Sequence, residues 1–279
     1  MSELFEKSIR VLELPRLLEM LERHAVSAEA KARARSLTPS DDYGEVNRLL
    51  DETDAARKMI LLRGSPAFGG VRDVGESLSR AERGGMLNTR ELLDIAGLLA
   101  NVRRVQDYYR EDEEGTAIDK LFLSLHANRF LEEKITTAIL DENEIADNAS
   151  PELAEIRRKI RAANNKIKDT LQKFISGGYG KLLQENIVTM RNDRYVVPVK
   201  VEHRNEIKGL VHDTSASGAT VFIEPVSIVE ANNELKLLKS REEHEIEKIL
   251  YALSSLCAEA ADTLNSNYHL ITEIAFAFT

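Results

Sequence analysis

The segment "SPELAEIRRKIRAANNKIKDTLQKFI", starting at Ser150, constrains the fold more than any other stretch. Leu153, Ile156, Ile160, Ala163, Ile167, Thr170 and Phe174 recur at alternating intervals of three and four residues. That is a heptad seam, with charged side chains on the remaining faces. Ser150 supplies an N-cap oxygen, and Pro151 suits the first helical position, where a backbone N–H has no partner to lose. A helix of about 25 residues spans roughly 38 Å. A second seam follows in Ile228, Leu235, Leu238, Ile246, Ile249, Leu253, Leu256 and Ala260. Its two consecutive intervals of four around Glu242 have the form of a stutter. Two such seams predict a pair of long helices that leave and return antiparallel.

Between them the period changes from helical to alternating. "NIVTM" and "YVVPVKV" flank the turn "RNDR", and "GLVHDT" and "ATVFIEP" flank "SASG". Tyr195, Val197, Val199 and Val201 fall on one face, with Val196, Pro198 and Lys200 opposite. Pro198 lacks a ladder donor, so its strand is expected at an edge or a bulge. About four short strands are predicted, at the far end of a helical arm. A sheet held there is placed to touch a partner.

The first 150 residues read as shorter amphipathic helices. Ser27 is a candidate cap for "AEAKARARSL", and "LTPSDD" is a break. Val46, Leu49, Leu50, Thr53, Ala56 and Ile60 form one stripe between Gly44 and Arg63. "RGSPAFGG" is a loop, and Gly84 and Gly85 stop the helix in "VRDVGESLSRAERGG". Asn88 or Thr89 caps "RELLDIAGLLANVRRVQDYY", with Glu91 in its first turn.

Charge is unevenly spread. The 279 residues carry a net charge of −9, yet Pro151 to Lys208 holds 13 Lys and Arg against 7 Asp and Glu, a net of +6. Such asymmetry points to one region facing an anionic partner. Arg191, Arg194, Lys200, His203, Arg204 and Lys208 lie in or beside the sheet's turns and are the candidate phosphate contacts. Arg157, Arg158 and Arg161 on the first long helix form a secondary basic set. Catalysis has no support. The phosphate-loop pattern G-x-x-x-x-G-K-[ST] is absent at Gly180–Lys181, where Leu182 follows and Ile175 precedes. "HEIEK" lacks the second His of a zinc-protease helix, so no metal site is expected. His212, Asp213, Ser215 and Ser217 crowd one hairpin on opposing faces. Cys257 lies on an apolar seam as an inert thiol, excluding an internal disulfide and fitting a reducing, cytoplasmic compartment. The N-terminus lacks signal-peptide features, and no apolar run is long enough to cross a membrane.

Three stretches carry a family resemblance: "SPAFGGVRDVGESLSRAERGGMLNTRELLDIAGLL", "ENIVTMRNDRYVVPVKVEHRNEIKGLVHDTSASGATVFIEP" and "VSIVEANNELKLLKSREEHEIEKIL". They resemble the N-terminal part of the second bacterial branch of the MutS family, the MutS-two type. The resemblance implies a mainly α protein, in which long antiparallel coiled-coil lever helices join a helical core and a small antiparallel β clamp is inserted at the tip. It implies a core or lever-base domain over 1–150, a first lever over 151–180, the clamp over 181–226, and a second lever returning to the core over 227–279. Members of this family are dimeric ATPases with a C-terminal Smr endonuclease domain, using ATP and magnesium. They are associated with branched DNA and suppression of homologous recombination, and with splitting stalled, collided ribosomes. The ATPase and Smr segments have no counterpart here, so the chain is expected to be a non-catalytic fragment without a cofactor, monomeric or weakly dimeric.

Two functions of different class follow. One is a clamp that holds DNA or ribosomal RNA by its backbone. The other is a mechanical or protein-interaction arm with no direct nucleic-acid contact, favoured by the near-neutral sheet.

Overall fold

The computed structural model describes residues 8–9, 11–25, 28–110 and 115–279. The proposed cap Ser27 lies outside the described residues. The chain divides into two compact units, one from residues up to Ala146 together with Leu250–Thr279, the other Asp147–Ile249.

The first unit is helical: α1 (Leu14–His24), α2 (Ala28–Ser36), α3 (Tyr43–Arg63), α4 (Gly75–Glu82), α5 (Thr89–Tyr108), α6 (Asp119–Leu123), α7 (Arg129–Ala138) and α10 (Ala261–Ala277). Its centre is α5, which buries Leu92, Ile95, Leu98, Leu99, Val102 and Val105. Asn88 caps α5 in a full capping box. Its side chain accepts from the Glu91 N–H while Glu91 accepts from the Asn88 N–H. Helix α10 buries Leu264, Tyr268, Ile271 and Ile274, and Asn267 on it clamps both backbone groups of His126, at 2.9 and 2.8 Å. In α3 the apolar stripe is displaced from the one the sequence suggests. Ala55, Ala56 and Met59 are buried, while Leu50 and Ile60 are exposed. A two-stranded hairpin, β1 (Ile139–Asp141) with β2 (Glu144–Ile145), is an addition the apolar pattern does not announce.

The second unit combines α8 (Pro151–Ser176) and most of α9 (Val226–Glu259) with a four-stranded antiparallel sheet. The strands are β3 (Thr189–Arg191), β4 (Arg194–Lys200), β5 (Gly209–Thr214) and β6 (Thr220–Pro225), in the order β3-β4-β6-β5. Ser150 caps α8 by accepting from the Leu153 N–H at 3.0 Å, and its hydroxyl donates to Glu245 on α9 at 2.8 Å. Arg157 on α8 meets Glu242 on α9. Rising numbers on one helix thus meet falling numbers on the other, so the pair is antiparallel.

The heptad seam holds only for the first half of α8. From Ala163 the buried residues are Ile167, Leu171 and Ile175, spaced by four, in place of Thr170 and Phe174. At 3.6 residues per turn each step of four advances about 40°, so the buried line swings by about 120°. It turns because this half packs on the sheet, in one core with Val197, Val199, Val221, Ile223, Ile228, Leu235 and Leu238. The second seam changes in a similar way at its stutter. Glu245 is buried where Ile246 is only half-buried, and α9 stops at Glu259 before α10 begins.

Pro198 corrects the edge-or-bulge expectation. Strand β4 is interior, flanked by β3 and β6. A residue's N and O point to the same side of an antiparallel strand, and the Pro198 carbonyl accepts from the Gln184 N–H at 2.9 Å. The missing N–H therefore faces the β3 side just past the end of that short strand, where the ladder asks for no donor. Asn192 and Asp193 (φ 50° and 60°) close the β3–β4 hairpin as its sequence requires. At Gly209 a Cβ would lie 2.2 Å from the Glu224 carbonyl, so only glycine fits there.

Leu171→Ala is expected to cost the second unit about 2–5 kcal/mol through reduced burial and a cavity, whereas Thr170→Ala should stay within about 1 kcal/mol. Urea unfolding followed by circular dichroism measures both, and equal costs would restore the heptad reading.

Candidate nucleic-acid interface

The end of β6 holds the most constrained charge of the second unit. Glu224 is 0% exposed. It accepts two bonds from Arg194 Nη1, at 2.8 and 3.0 Å, one from Asn232 Nδ2 at 2.8 Å, and a short contact from His212 Nε2. Arg194 starts β4, His212 sits at the irregularity in β5, and Asn232 lies on α9. Asn232 also pairs with both backbone groups of Tyr195. One carboxylate thus ties the β3–β4 turn, the outer hairpin and α9 together. Its burial is sustained by four hydrogen bonds, since an unpaired buried charge costs several kcal/mol.

The six clamp candidates therefore differ in availability. Arg194 retains 19% of its side-chain exposure and is committed to Glu224 and Asn233. Arg191 ion-pairs with Asp213 at 3.3 Å and lies over the Phe222 ring, 4.0 Å from its centroid. His203 is engaged by Glu206 at 2.7 Å. Lys200 reaches the Lys181 carbonyl at 3.4 Å, a bond that leaves its charge unneutralised. Arg204 and Lys208 are exposed, with no acidic partner among the described residues.

The four residues from Lys200 to Lys208 do not surround one turn, because β6 lies between β4 and β5. Lys200 is opposite Thr220 at one end of β6, and Lys208 is beside Gly209, which is opposite Pro225 at the other. Lys200, His203 and Arg204 instead adjoin the 215–219 loop, where the Val201 N–H donates to Ala219 at 3.0 Å. Lys181, which the sequence offers only as a failed phosphate loop, joins this end through its contact with Lys200. The β5 edge displays Leu210 and Val211 rather than cations.

The basic set on α8 is largely consumed. Asp147 takes both Arg157 and Arg161, at 2.7 and 2.9 Å, and those guanidinium hydrogen bonds hold its carboxyl below the usual aspartate range. Glu242 takes Arg157 from the other side. Arg158 alone of the three is exposed without an acidic partner among the described residues. Across Asp147–Ile249 there are 17 Lys and Arg against 16 Asp and Glu, so the +6 stretch is almost neutralised within its own unit. Cys257 is fully buried, and desolvation pushes its thiol up to about 12. Among the described residues no three metal-ligating side chains converge, and no helix is long and apolar enough to cross a membrane.

No protein-family model matches the chain. Comparison with curated proteins is decisive instead. The chain is 46% identical over 277 residues to Endonuclease MutS2 of Ruminiclostridium cellulolyticum, and 45% identical over 278 residues to Endonuclease MutS2 of Acetivibrio thermocellus. Each alignment covers 98% of this chain and 35% of the relative. The chain belongs to the MutS2 family. A third relative, Endonuclease MutS2 of Clostridioides difficile, is 41% identical with the same coverage. The chain spans about a third of the length of the MutS2 proteins it matches.

The division of charges gives a stability contrast. Arg194→Ala leaves Glu224 buried without its guanidinium and is expected to cost about 3–5 kcal/mol. Arg204→Ala, at an exposed position, should move stability by under about 0.5 kcal/mol. Hydrogen exchange at the β4 and β6 amides reads both, and equal protection in the two variants would show that the buried pair contributes nothing.

Proposed function

We propose that this chain is the core and clamp portion of a MutS2-type protein, and that the sheet end carrying Lys181, Lys200 and Arg204 contacts nucleic acid through its phosphates. The observation that carries the reading is the separation of cations in the second unit. Four of its arginines, Arg157, Arg161, Arg191 and Arg194, are spent on internal carboxylates, while Lys181, Lys200 and Arg204, without a carboxylate partner among the described residues, gather at one end of the sheet. Phosphate contact needs cations of that kind, and it is insensitive to base sequence. Glu185, Glu202 and Glu206 share the region, which argues for a few well-placed contacts rather than a broad basic surface.

The longer protein is proposed to supply what this chain lacks. In that reading ATP and magnesium act elsewhere in a homodimer, and the endonuclease activity in the relatives' name belongs to another part of the protein. Branched DNA and ribosomal RNA are both consistent ligands, since each presents a phosphate backbone. The near-neutral charge of the second unit supports the rival reading of a mechanical or protein-interaction arm.

A salt titration separates the two. Converting Lys181, Lys200 and Arg204 together to Glu should weaken binding to duplex DNA and to RNA alike. The log–log salt slope for the duplex should fall by about 0.9 for each phosphate no longer neutralised. Arg158→Glu and Lys208→Glu serve as controls of equal sign. Binding unchanged in the triple variant, or absent from the unaltered chain, would favour the arm.

A further inference from the structure

The turn that ends α8 carries an aromatic step unexplained by the core. Tyr179 opens a short 3-10 helix (Tyr179–Leu182), and its ring stacks on Phe174 with centroids 4.3 Å apart and planes 2° from parallel. Phe174 is half-buried and packs against the core shared by α8, α9 and the sheet. It covers one face of Tyr179. The tyrosine nevertheless remains 42% exposed, so its open area is the other face and the rim.

The local sequence "SGGYG" is built to hold this ring. Gly178 has φ of 109°, a backbone conformation costly for other residues. A Cβ on Gly177 would lie 2.8 Å from the Lys173 carbonyl, and one on Gly180 would lie 2.9 Å from the Ile175 carbonyl. Three glycines thus let the chain fold back tightly enough to lay Tyr179 on Phe174. Burial alone does not demand that, because the outer face stays in water.

Cations frame the step. Lys173 precedes Phe174, Lys181 follows Tyr179 on the same 3-10 helix, and Lys200 reaches the carbonyl of Lys181. None of the three has a carboxylate partner among the described residues. An exposed π-face beside unneutralised lysines is the chemistry that recognises an unpaired nucleobase together with its flanking phosphates. Stacking on aromatics is tolerant of base identity, and the cations follow the backbone.

We propose that Tyr179, supported by Phe174, is a stacking platform for an unpaired base of single-stranded nucleic acid, with Lys181 and Lys200 holding the adjoining phosphates. The proposal rests on the nucleic-acid reading above and narrows it. Fully paired duplex offers no free base face internally, so the platform favours junctions, ends and loops over uninterrupted helix.

The test uses the full chain and a single strand of about 15 nucleotides, a length within the range one binding groove covers, with one internal 2-aminopurine, beside a duplex of the same sequence. Anisotropy gives affinity, and 2-aminopurine quenching reports stacking. Tyr179→Phe should keep both affinity and quenching. Tyr179→Leu, which preserves apolar cover on Phe174, and Tyr179→Ala should abolish quenching and weaken single-strand binding by about tenfold, with the salt slope unchanged. Their duplex affinity should stay within about twofold of the unaltered chain. The Lys181, Lys200 and Arg204 triple variant should bind both nucleic acids more weakly. Undiminished quenching and affinity in the Leu variant would overturn the platform while leaving phosphate contact intact. Failure of the unaltered chain to bind either probe would overturn both.

Discussion

The sheet of the second unit depends on one buried carboxylate. Glu224 has no access to water, and it is stable there only because Arg194, His212 and Asn232 bring hydrogen-bond donors from three different elements. Removing any donor strands a charge in a medium that solvates it poorly. The arrangement therefore specifies register as well as stability. A one-residue slip of β4 would carry Arg194 to the opposite face, away from Glu224. This polar lock complements the apolar face, where Val197, Val199, Val221 and Ile223 meet α8 and α9.

The same economy of charge decides what is left for a partner. A basic excess in sequence is a weak predictor of a basic surface when acids from distant segments neutralise it. Here Asp147, Asp213, Glu224 and Glu242 each take at least one of the arginines that the linear count credits to binding. Lys159, Lys239 and Lys248 are paired too, but Lys181 and Lys200 escape this, in keeping with the different chemistry of lysine. The planar guanidinium suits bidentate internal pairing, whereas the ammonium on its flexible stem stays hydrated at the surface. Lys181 and Lys200 remain open for that reason, and the cations most exposed to a ligand differ from those most visible in the turns.

Much of the fold is legible in the sequence because local signals agree with tertiary ones. Ser150, Pro151 and Asn88 begin the helices that their residue types announce, and "RNDR" and "SASG" make the turns they suggest. The departures have physical causes. A heptad assumes a helical partner, which puts Thr170 and Phe174 in the seam, yet that half of α8 packs on a sheet. Pro198 reads as an edge residue because sequence does not show how short β3 is. Arg194 reads as free because its partner, Glu224, lies 30 residues further along the chain. The signal for Tyr179 is "SGGYG" itself, since three glycines around one tyrosine imply a backbone bent to display a side chain. A glycine cluster after a long helix otherwise reads simply as a stop.

Photocrosslinking of the full chain to a single-stranded oligonucleotide carrying halogenated bases, with the modified peptides mapped by mass spectrometry, tests the central assignment most directly. Crosslinks are expected within residues 173–204, at Tyr179 and its neighbouring lysines, and not at the internal pair Arg194 and Glu224. Crosslinks confined to the Arg158 face of α8, or to the helical first unit, would contradict the assignment and move the interface off the sheet end.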